Sequence, residues 1–316
     1  MYIGDEAINY LTSQVNNDDP ASSSHWKKYH SKFDVRPDGV IGIEGFGSND
    51  LAYRGIRRFI HWFLQIYFKF WVLNSFKRII LFNKFNTLNV KILKKTNQGY
   101  STDFLRQTLT LTLLNEKIPE IFSSNETVLI IGDGFANLTN LINETKSVKN
   151  IVLINLTKTL LVDSLYLKKC IGEENFNKKV KLITESDSDL DVEFNSSENK
   201  YIYLIEAKNH RFLASIPFRL VINIASMQEM EKSIIKEYFE YIQAKEDVYF
   251  YCCNRKEKIL PDGTIIRFNE YPWKINDEVI VDGLCPWHQK YYEFPWPIYK
   301  NYDGPHIHQL RKMNSK

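Results

Sequence analysis

The sequence contains few cysteines and lacks the short motifs that mark several common enzyme classes. Its 316 residues include only four cysteines, and none of them forms the C-x-x-C pair of a zinc or redox site: Cys170, Cys252, Cys253 and Cys285. We therefore expect no metal site and a reducing, cytoplasmic environment. No H-E-x-x-H, G-x-S-x-G or P-loop motif occurs either, which argues against a metalloprotease, a serine hydrolase or a nucleoside triphosphatase.

An excess of charge of one sign is also lacking. The 41 basic and 38 acidic residues leave a net charge of +3, and from so small an excess we expect no nucleic-acid partner. Residues 25–30 (His-Trp-Lys-Lys-Tyr-His) combine aromatic and basic side chains, a pattern more typical of a solvated helix face than of a nucleic-acid site. The N-terminus shows no basic region followed by an apolar core, so no signal peptide is predicted.

The most informative stretch runs from Val128 to Leu138. Four apolar residues lead directly into Gly132-Asp133-Gly134, which predicts a buried parallel strand, a tight turn and then a helix. Glycines tolerate positive φ and let a ligand approach the backbone, and a helix start offers free N–H groups. The third glycine of the dinucleotide motif is missing, and the turn looks more like the one that holds the amino-acid part of S-adenosylmethionine in class I methyltransferases. A glycine turn without a ligand is the alternative.

The chain downstream of this stretch alternates apolar strands with helices. Further strands are predicted at 151–155, 180–184, 219–226 and 248–253, so we expect an α/β fold with a Rossmann-like, mainly parallel sheet and helices on both faces. The carboxyl ends of parallel strands meet at one edge, which brings together the glycine turn, Asn155 and residues 226–229. Many such folds place an acid at the position of Asn155 to bind a ribose, and here an amide takes its place.

Three polar residues near these strand ends are candidates for chemistry. Glu229 could accept a proton from a substrate hydroxyl, or could be an acid favoured by a helix N-terminus. His288 is a candidate general base because the pKa of a free histidine lies near neutrality, although a histidine among aromatic residues often only packs. Arg255 could bind a phosphate or a carboxylate, or could lie on the surface beside Lys256 and Lys258.

The most apolar segment spans residues 55–82 and predicts one long helix. Lys69 lies near its centre and would be costly within a bilayer, so we do not expect a transmembrane helix. Packing against the core is the favoured interpretation, and a membrane-interface contact through 56–78 is the alternative. Three glycines within 42–47 predict a lid or substrate loop just before this segment.

With these residues in place, the sequence resembles a family of sugar O-methyltransferases over roughly residues 25 to 290. The resemblance rests on residues 26–29 with Phe33, 44–47, 128–134, 223–230 (Asn-Ile-Ala-Ser-Met-Gln-Glu-Met), 250–255, 260–263 and 270–273 (Glu-Tyr-Pro-Trp). It implies a class I methyltransferase fold, S-adenosylmethionine as cofactor and a sugar, nucleotide-sugar or glycan acceptor in bacterial surface polysaccharide synthesis.

The site expected on this basis has a cofactor part and an acceptor part. Aromatic rings can stack on sugar faces, which makes Trp273 an acceptor candidate beside Arg255. The base would be Glu229 or His288, and the cofactor would be held by Gly132, Asp133, Gly134, Asn155 and Ser226.

Three regions are predicted along the chain. Residues 1–99 would form a helical and loop cap, residues 100–290 the methyltransferase domain, and residues 291–316 a C-terminal tail. Two other functions remain open: a catalytically degenerate protein of the same fold that only binds a sugar or a partner, and a NAD-dependent nucleotide-sugar oxidoreductase. The missing third glycine argues against the latter.

Overall fold

The computed structural model describes residues 1–17, 19–30, 34–36, 39–41, 55–187, 193–194, 200–291 and 299–314. The predicted lid loop at 42–47 lies outside these residues. The strands of the described chain are β1 (Tyr2–Ile3), β2 (Asp34–Arg36), β3 (Gly39–Ile41), β4 (Thr127–Ile131), β5 (Asn150–Asn155), β6 (Val180–Ile183), β7 (Ile202–Glu206), β8 (Leu220–Ile224), β9 (Tyr249–Arg255), β10 (Glu257–Ile259), β11 (Ile265–Arg267), β12 (Glu278–Leu284), β13 (Lys290–Tyr291), β14 (Lys300–Asn301) and β15 (His306–Lys312).

The α-helices of the described chain lie before the sheet and between its strands. They are α1 (Asp5–Gln14), α2 (Ser24–His30), α3 (Gly55–Leu64), α4 (Ile66–Lys69), α5 (Phe76–Thr96), α6 (Thr102–Lys117), α7 (Asn137–Thr145), α8 (Thr157–Ile171), α9 (Glu173–Lys179) and α10 (Lys232–Gln243).

A nine-stranded sheet is the centre of the fold, in the order β1-β6-β7-β5-β4-β8-β9-β15-β12. The six strands from β6 to β9 in this order are parallel to one another. The chain leaves β4 for β5 on one side and later returns to β8 on the other. This reversal beside β4 is the topological switch point of a doubly wound sheet. The predicted Rossmann-like α/β fold is therefore confirmed.

Alternate residues of β4 face opposite sides of the sheet, and each side is covered. Val128 and Ile130 belong to a core shared with α6, α7 and α8. Leu129 and Ile131 belong to a second core, to which α10 contributes Phe239. All five residues of β4 are buried because both faces of the strand are covered, and four of the five, Val128 to Ile131, are apolar.

Both ends of the described chain take part in this sheet. Strand β1 pairs antiparallel with β6, and β15 pairs antiparallel with both β9 and β12. The segment predicted as a C-terminal tail thus supplies an internal strand of the sheet. The expected domain boundary at residue 290 would separate β15 from its neighbours β9 and β12. The sequence did not indicate this because polar residues such as His306 and Gln309 interrupt the apolar pattern of β15.

The apolar segment 55–82 is not one helix. It is divided among α3, α4 and the start of α5. Gln65, Phe68 and Val72 are buried, whereas Phe59, Phe70 and seven other large apolar side chains between residues 56 and 80 are exposed. The expectation that this segment packs into the core is therefore wrong for most of its length. Among the described residues, no helix is both long and apolar enough to span a membrane.

Candidate functional site

A cleft of about 330 Å³ opens at the carboxyl ends of β4, β5, β8 and β9. This is the switch point, where doubly wound sheets bind their ligands. Eight of the predicted site residues line the cleft: Gly132, Asp133, Gly134, Asn155, Ser226, Glu229, Arg255 and His288. The sequence therefore predicted the position of the cleft and most of its polar wall.

The glycine turn has the backbone geometry that the sequence predicts. Gly132 has φ +71° and Gly134 has φ +82°, both in the region that favours glycine. Ala136 also has a positive φ, of 50°, immediately before α7 begins. Gly132 and Gly134 are half-buried and both line the cleft.

The Asp133 carboxylate holds the start of α7. Its Oδ1 accepts a hydrogen bond from the Leu138 N–H at 3.1 Å, and its Oδ2 accepts one from the Thr139 N–H at 2.7 Å. Burial raises the pKa of Asp133, and these hydrogen bonds oppose the rise. The N–H groups of Leu138 and Thr139 are therefore already bonded within the protein, and a ligand would meet the backbone of the turn instead.

A network of hydrogen bonds from two buried asparagine amides links the strand ends at the switch point. Asn223 Nδ2 donates to the Ile131 carbonyl at 2.9 Å and to Ser226 Oγ at 3.0 Å, and Ser226 Oγ donates to the same carbonyl at 3.2 Å. On its other side, Asn223 Oδ1 accepts from Asn254 Nδ2 at 2.8 Å. The network joins the ends of β4, β8 and β9 and fixes Ser226 beside the glycine turn, so Ser226 has a structural role besides lining the cleft.

Asn155 is held in place by a buried acid. Its Nδ2 donates to Asp163 Oδ2 at 2.9 Å, and its Oδ1 accepts from the Leu156 N–H at 3.0 Å. Asp163 is fully buried, and burial raises its pKa well above the usual value, with Asp133 adding to the rise. The amide orientation is thus fixed, and one Nδ2 hydrogen is left for a ligand.

Glu229 is a carboxylate of the cleft whose pKa is shifted toward neutrality. Burial raises its pKa to about 7, and nearby Lys258, the Gln228 hydrogen bond and Arg255 lower it in part. Its Oε1 lies 3.6 Å from His25 Nε2. Burial lowers the pKa of His25 to about 4, and Lys258 and Arg255 contribute. At pH 7 His25 is therefore neutral, and Glu229 is the member of the pair that exchanges a proton.

His288 lines the cleft, but its Nδ1 faces sulfur. It lies 3.3 Å from Cys285 Sγ and 3.7 Å from Cys253 Sγ. The imidazole is buried, and burial lowers its pKa, partly offset by Cys285. Between the two predicted bases, the surroundings favour Glu229, because its pKa is tuned toward neutrality and His288 Nδ1 is occupied.

A basic and aromatic wall completes the cleft. Arg255 has one ion pair, at 3.1 Å with the exposed Asp303, and its buried Nε has no hydrogen-bond partner among the described residues. Arg106, by contrast, makes four hydrogen bonds with its five guanidinium N–H groups: it donates to Asp103, to Tyr302 Oη and to two backbone carbonyls. Its ion pair with Asp103, one helical turn earlier on α6, measures 3.3 Å. Among the described residues, Arg255 therefore has more unused N–H groups for a ligand than Arg106 has.

Trp273 is a correction to the predicted site. It does not line the cleft; its ring packs against Phe239 and Phe250, with the Arg311 guanidinium 4.6 Å from the ring centroid. Trp273 is half-buried and packs against the apolar core beside α10, so it lies away from the residues that line the cleft.

Several residues of the cleft were not predicted. Helix α2 contributes His25, Trp26 and Tyr29, and the C-terminal segment contributes Tyr302 and His306. The aromatic and basic composition of residues 25–30 was visible in the sequence, but it was interpreted as a solvated helix face. Trp26 and His30 are in fact buried, because this side of α2 faces the cleft and α8.

Neither a protein-family profile nor a curated protein matches the chain. Solved structures give distant similarity. The Thermoplasma acidophilum protein 1320 is 8% identical, with 73% of this chain and 98% of that chain covered and a TM-score of 0.41. M. capricolum TrmK, solved with S-adenosyl-homocysteine, is 11% identical over 64% and 68% of the two chains, with a TM-score of 0.37. An rRNA methylase from Streptococcus thermophilus is 13% identical over 65% and 96%, also with a TM-score of 0.37. At these values we assign no function from similarity.

Proposed function

We propose that the protein is an S-adenosylmethionine-dependent O-methyltransferase that acts on a sugar hydroxyl in the cytoplasm. The observation that carries the proposal is one cleft, at the switch point of the sheet, that contains both the glycine turn at 132–134 and a carboxylate with a pKa of about 7, Glu229. The glycine turn suits a small ligand held by backbone groups, and Glu229 suits removal of a proton near neutral pH.

The cofactor part of the cleft fits S-adenosylmethionine. Gly132 and Gly134 line the cleft, Asn155 has one Nδ2–H without a partner among the described residues, and Ser226 lies against Gly132. The carboxylate of Asp133 supports this part indirectly, through α7. When bound, the cofactor supplies a methyl group on a positively charged sulfur, which is already activated toward a nucleophile.

The acceptor part would be formed by Glu229, Arg255 and the wall from α2. Glu229 would accept the proton of the sugar hydroxyl as the oxygen becomes a nucleophile, and a pKa near 7 balances the deprotonated fraction against basicity. The unpartnered Nε of Arg255 would bind an anionic group. This favours a nucleotide sugar or sugar phosphate over a neutral sugar.

Ligand binding separates this proposal from its two rivals. Calorimetry on the full chain should detect S-adenosylmethionine and not NAD. Binding of NAD alone would support the nucleotide-sugar oxidoreductase, and binding of neither would leave a degenerate fold that has lost its cofactor.

Product analysis then tests the acceptor. The protein would be incubated with methyl-labelled S-adenosylmethionine and, in separate reactions, with nucleotide sugars, free sugars and RNA. We expect label on a nucleotide sugar, with loss of transfer in Glu229→Gln and full transfer in the exposed control Glu270→Gln. Label on RNA alone would overturn the sugar acceptor and the expected absence of a nucleic-acid partner.

A further inference from the structure

The charges of the chain are divided unevenly along its length. Residues 51–102 contain no acidic residue and ten basic ones: Arg54, Arg57, Arg58, Lys69, Lys77, Arg78, Lys84, Lys91, Lys94 and Lys95. The remaining 31 of the 41 basic residues share the rest of the chain with all 38 acidic ones. A nearly neutral protein therefore has one strongly basic segment, and α3, α4 and α5 belong to it.

The same segment exposes an unusual amount of apolar surface. Its exposed large side chains are Ile56, Phe59, Trp62, Phe63, Tyr67, Phe70, Leu73, Phe76 and Ile80. We call this set the apolar face of residues 56–80. Ile56, Phe59 and Phe63 recur at helical spacing along α3, so they share one side of that helix. Nine exposed large apolar side chains within 25 residues are more than the single, scattered apolar residues of an ordinary soluble surface.

We propose that the apolar face of residues 56–80 is a docking surface for a bilayer that carries anionic lipid headgroups. Aromatic and aliphatic side chains would enter the boundary between headgroups and acyl chains, while Arg58, Lys77 and Lys84, all exposed, would meet the headgroups. The absence of acidic side chains in this segment removes the repulsion that an anionic surface would otherwise meet. Lying in the interface also requires no spanning helix.

Sedimentation with vesicles tests the surface. The full chain would be mixed with vesicles of phosphatidylcholine containing phosphatidylglycerol, and with vesicles of phosphatidylcholine alone. We expect binding to the anionic vesicles that weakens as salt is added. Phe59→Ser/Phe63→Ser/Phe70→Ser should reduce the partition coefficient more than tenfold, and Arg58→Glu/Lys77→Glu about tenfold or more.

Matched controls use exposed residues outside the segment. Ile259→Ser/Ile275→Ser/Val279→Ser and Lys178→Glu/Lys236→Glu should bind vesicles as the unmodified protein does, because all five side chains are exposed elsewhere. Circular dichroism would show that each variant is folded. Absence of vesicle binding, or equal binding by the apolar variant, would overturn the proposal. So would light scattering that shows a dimer broken by the same variant, because the face would then join two copies of the chain.

An independent observation concerns the buried thiols. Cys253 on β9 and Cys285 after β12 lie 32 residues apart in sequence, but the structure places both beside His288. The three possible ligand atoms lie within 4.8 Å of one another, and all three residues are buried. Zn–S bonds near 2.3 Å and Zn–N bonds near 2.0–2.1 Å in a tetrahedron put neighbouring ligand atoms roughly 3.5 to 3.8 Å apart, close to the observed 3.3 and 3.7 Å.

We infer that Cys253, Cys285 and His288 Nδ1 bind a zinc ion. The set of two thiols and one imidazole suits zinc better than magnesium or calcium, which prefer oxygen. Three protein ligands leave one position of a tetrahedron for water or a bound ligand. The prediction of no metal site considered only cysteine pairs close in sequence, and the ligands here come from separate elements.

Metal analysis of the purified full chain tests this site. We expect about one zinc per chain, lost in Cys253→Ser and in Cys285→Ser but kept in the controls Cys170→Ser and Cys252→Ser, whose buried thiols lie outside the cluster. Cobalt added to the metal-free, unmodified protein should give thiolate-to-metal absorption, which does not depend on how well a variant folds. No bound zinc together with no such absorption would overturn the inference.

Discussion

The Ser226 hydroxyl occupies the space that a side chain at Gly132 would need. A Cβ added to Gly132 would lie 2.3 Å from Ser226 Oγ and 2.6 Å from Ser226 Cβ. Gly132 also has φ +71°, where other residues are strained. We expect Gly132→Ala to lower the free energy of unfolding by about 2–4 kcal/mol and to weaken cofactor binding.

A second substitution separates the cost of the close contacts with Ser226 from the cost of the backbone strain at residue 132. Ser226→Gly in the Gly132→Ala background removes both close contacts but leaves the backbone strain and also removes the two Ser226 Oγ hydrogen bonds, so it should restore only part of the lost stability, measured against Ser226→Gly alone. Urea denaturation measures both variants. If Gly132→Ala is as stable as the unmodified protein, the close packing at this turn is not as described.

The activity should rise with pH around neutrality because of Glu229. Its pKa of about 7 means that the proton-accepting form increases through this range, so kcat/KM should rise with a midpoint near pH 7. Glu229→Gln should abolish this rise together with most of the activity. A rise of unchanged midpoint in Glu229→Gln would assign the titration to another group.

The raised pKa of Glu229 should make the folded state less stable as pH rises, whereas the activity should increase with pH. The folded protein binds the Glu229 proton more tightly than the unfolded chain does, since the pKa of the folded state is above the usual 4.5. Stability from this group is therefore fully present below about pH 4.5 and is lost as pH rises toward 7. Denaturation of Glu229→Gln across this range should show a flatter dependence than that of the unmodified protein.

The charge at position 25 should control the pKa of Glu229. His25 is neutral at pH 7, because its pKa is about 4, so His25→Gln should leave the midpoint of the pH profile nearly unchanged. His25→Lys would place a positive charge close to Glu229 and should move the midpoint to lower pH. Identical profiles for the two variants would show that the pair does not interact.

Arg255 should determine the affinity for an anionic acceptor. Because its Nε has no partner among the described residues, we expect Arg255→Met to raise KM for a nucleotide sugar about tenfold or more, with a smaller effect on kcat. Arg267→Met is the matched control, since Arg267 pairs with Glu257 and Glu270 on the surface. Equal effects of the two substitutions would place the acceptor elsewhere.

The sequence predicted the parts of the fold that depend on local pattern. The continuous apolar runs of β4, β5 and β8 were recognisable because strands buried on both faces need them. Glycines at 132 and 134 predicted the turn because few other residues adopt its dihedrals. Asn155, the last residue of β5, and Glu229, five residues beyond β8, were predicted to lie together because parallel strands end at one edge of a sheet.

What the sequence did not show depends on contacts between distant segments. His25 and Tyr302 reach the cleft from opposite ends of the chain. No local sequence pattern indicates that these two residues lie close together in the fold. Trp273 resembled an acceptor residue by type, but only packing against Phe239 and Phe250 decides its place. Segment 55–82 was apolar enough for a core, and its composition alone could not show which side chains would lack a covering element.

The internal position of β15 has a consequence for how the chain is made. Along this edge strand β9 pairs with residues 306–312, which leave the ribosome about 50 residues after it. During that interval an apolar strand edge is unsatisfied, and such edges attract other chains. The nascent protein should therefore depend on chaperones that bind exposed strands, and should aggregate when synthesis stalls between β9 and β15.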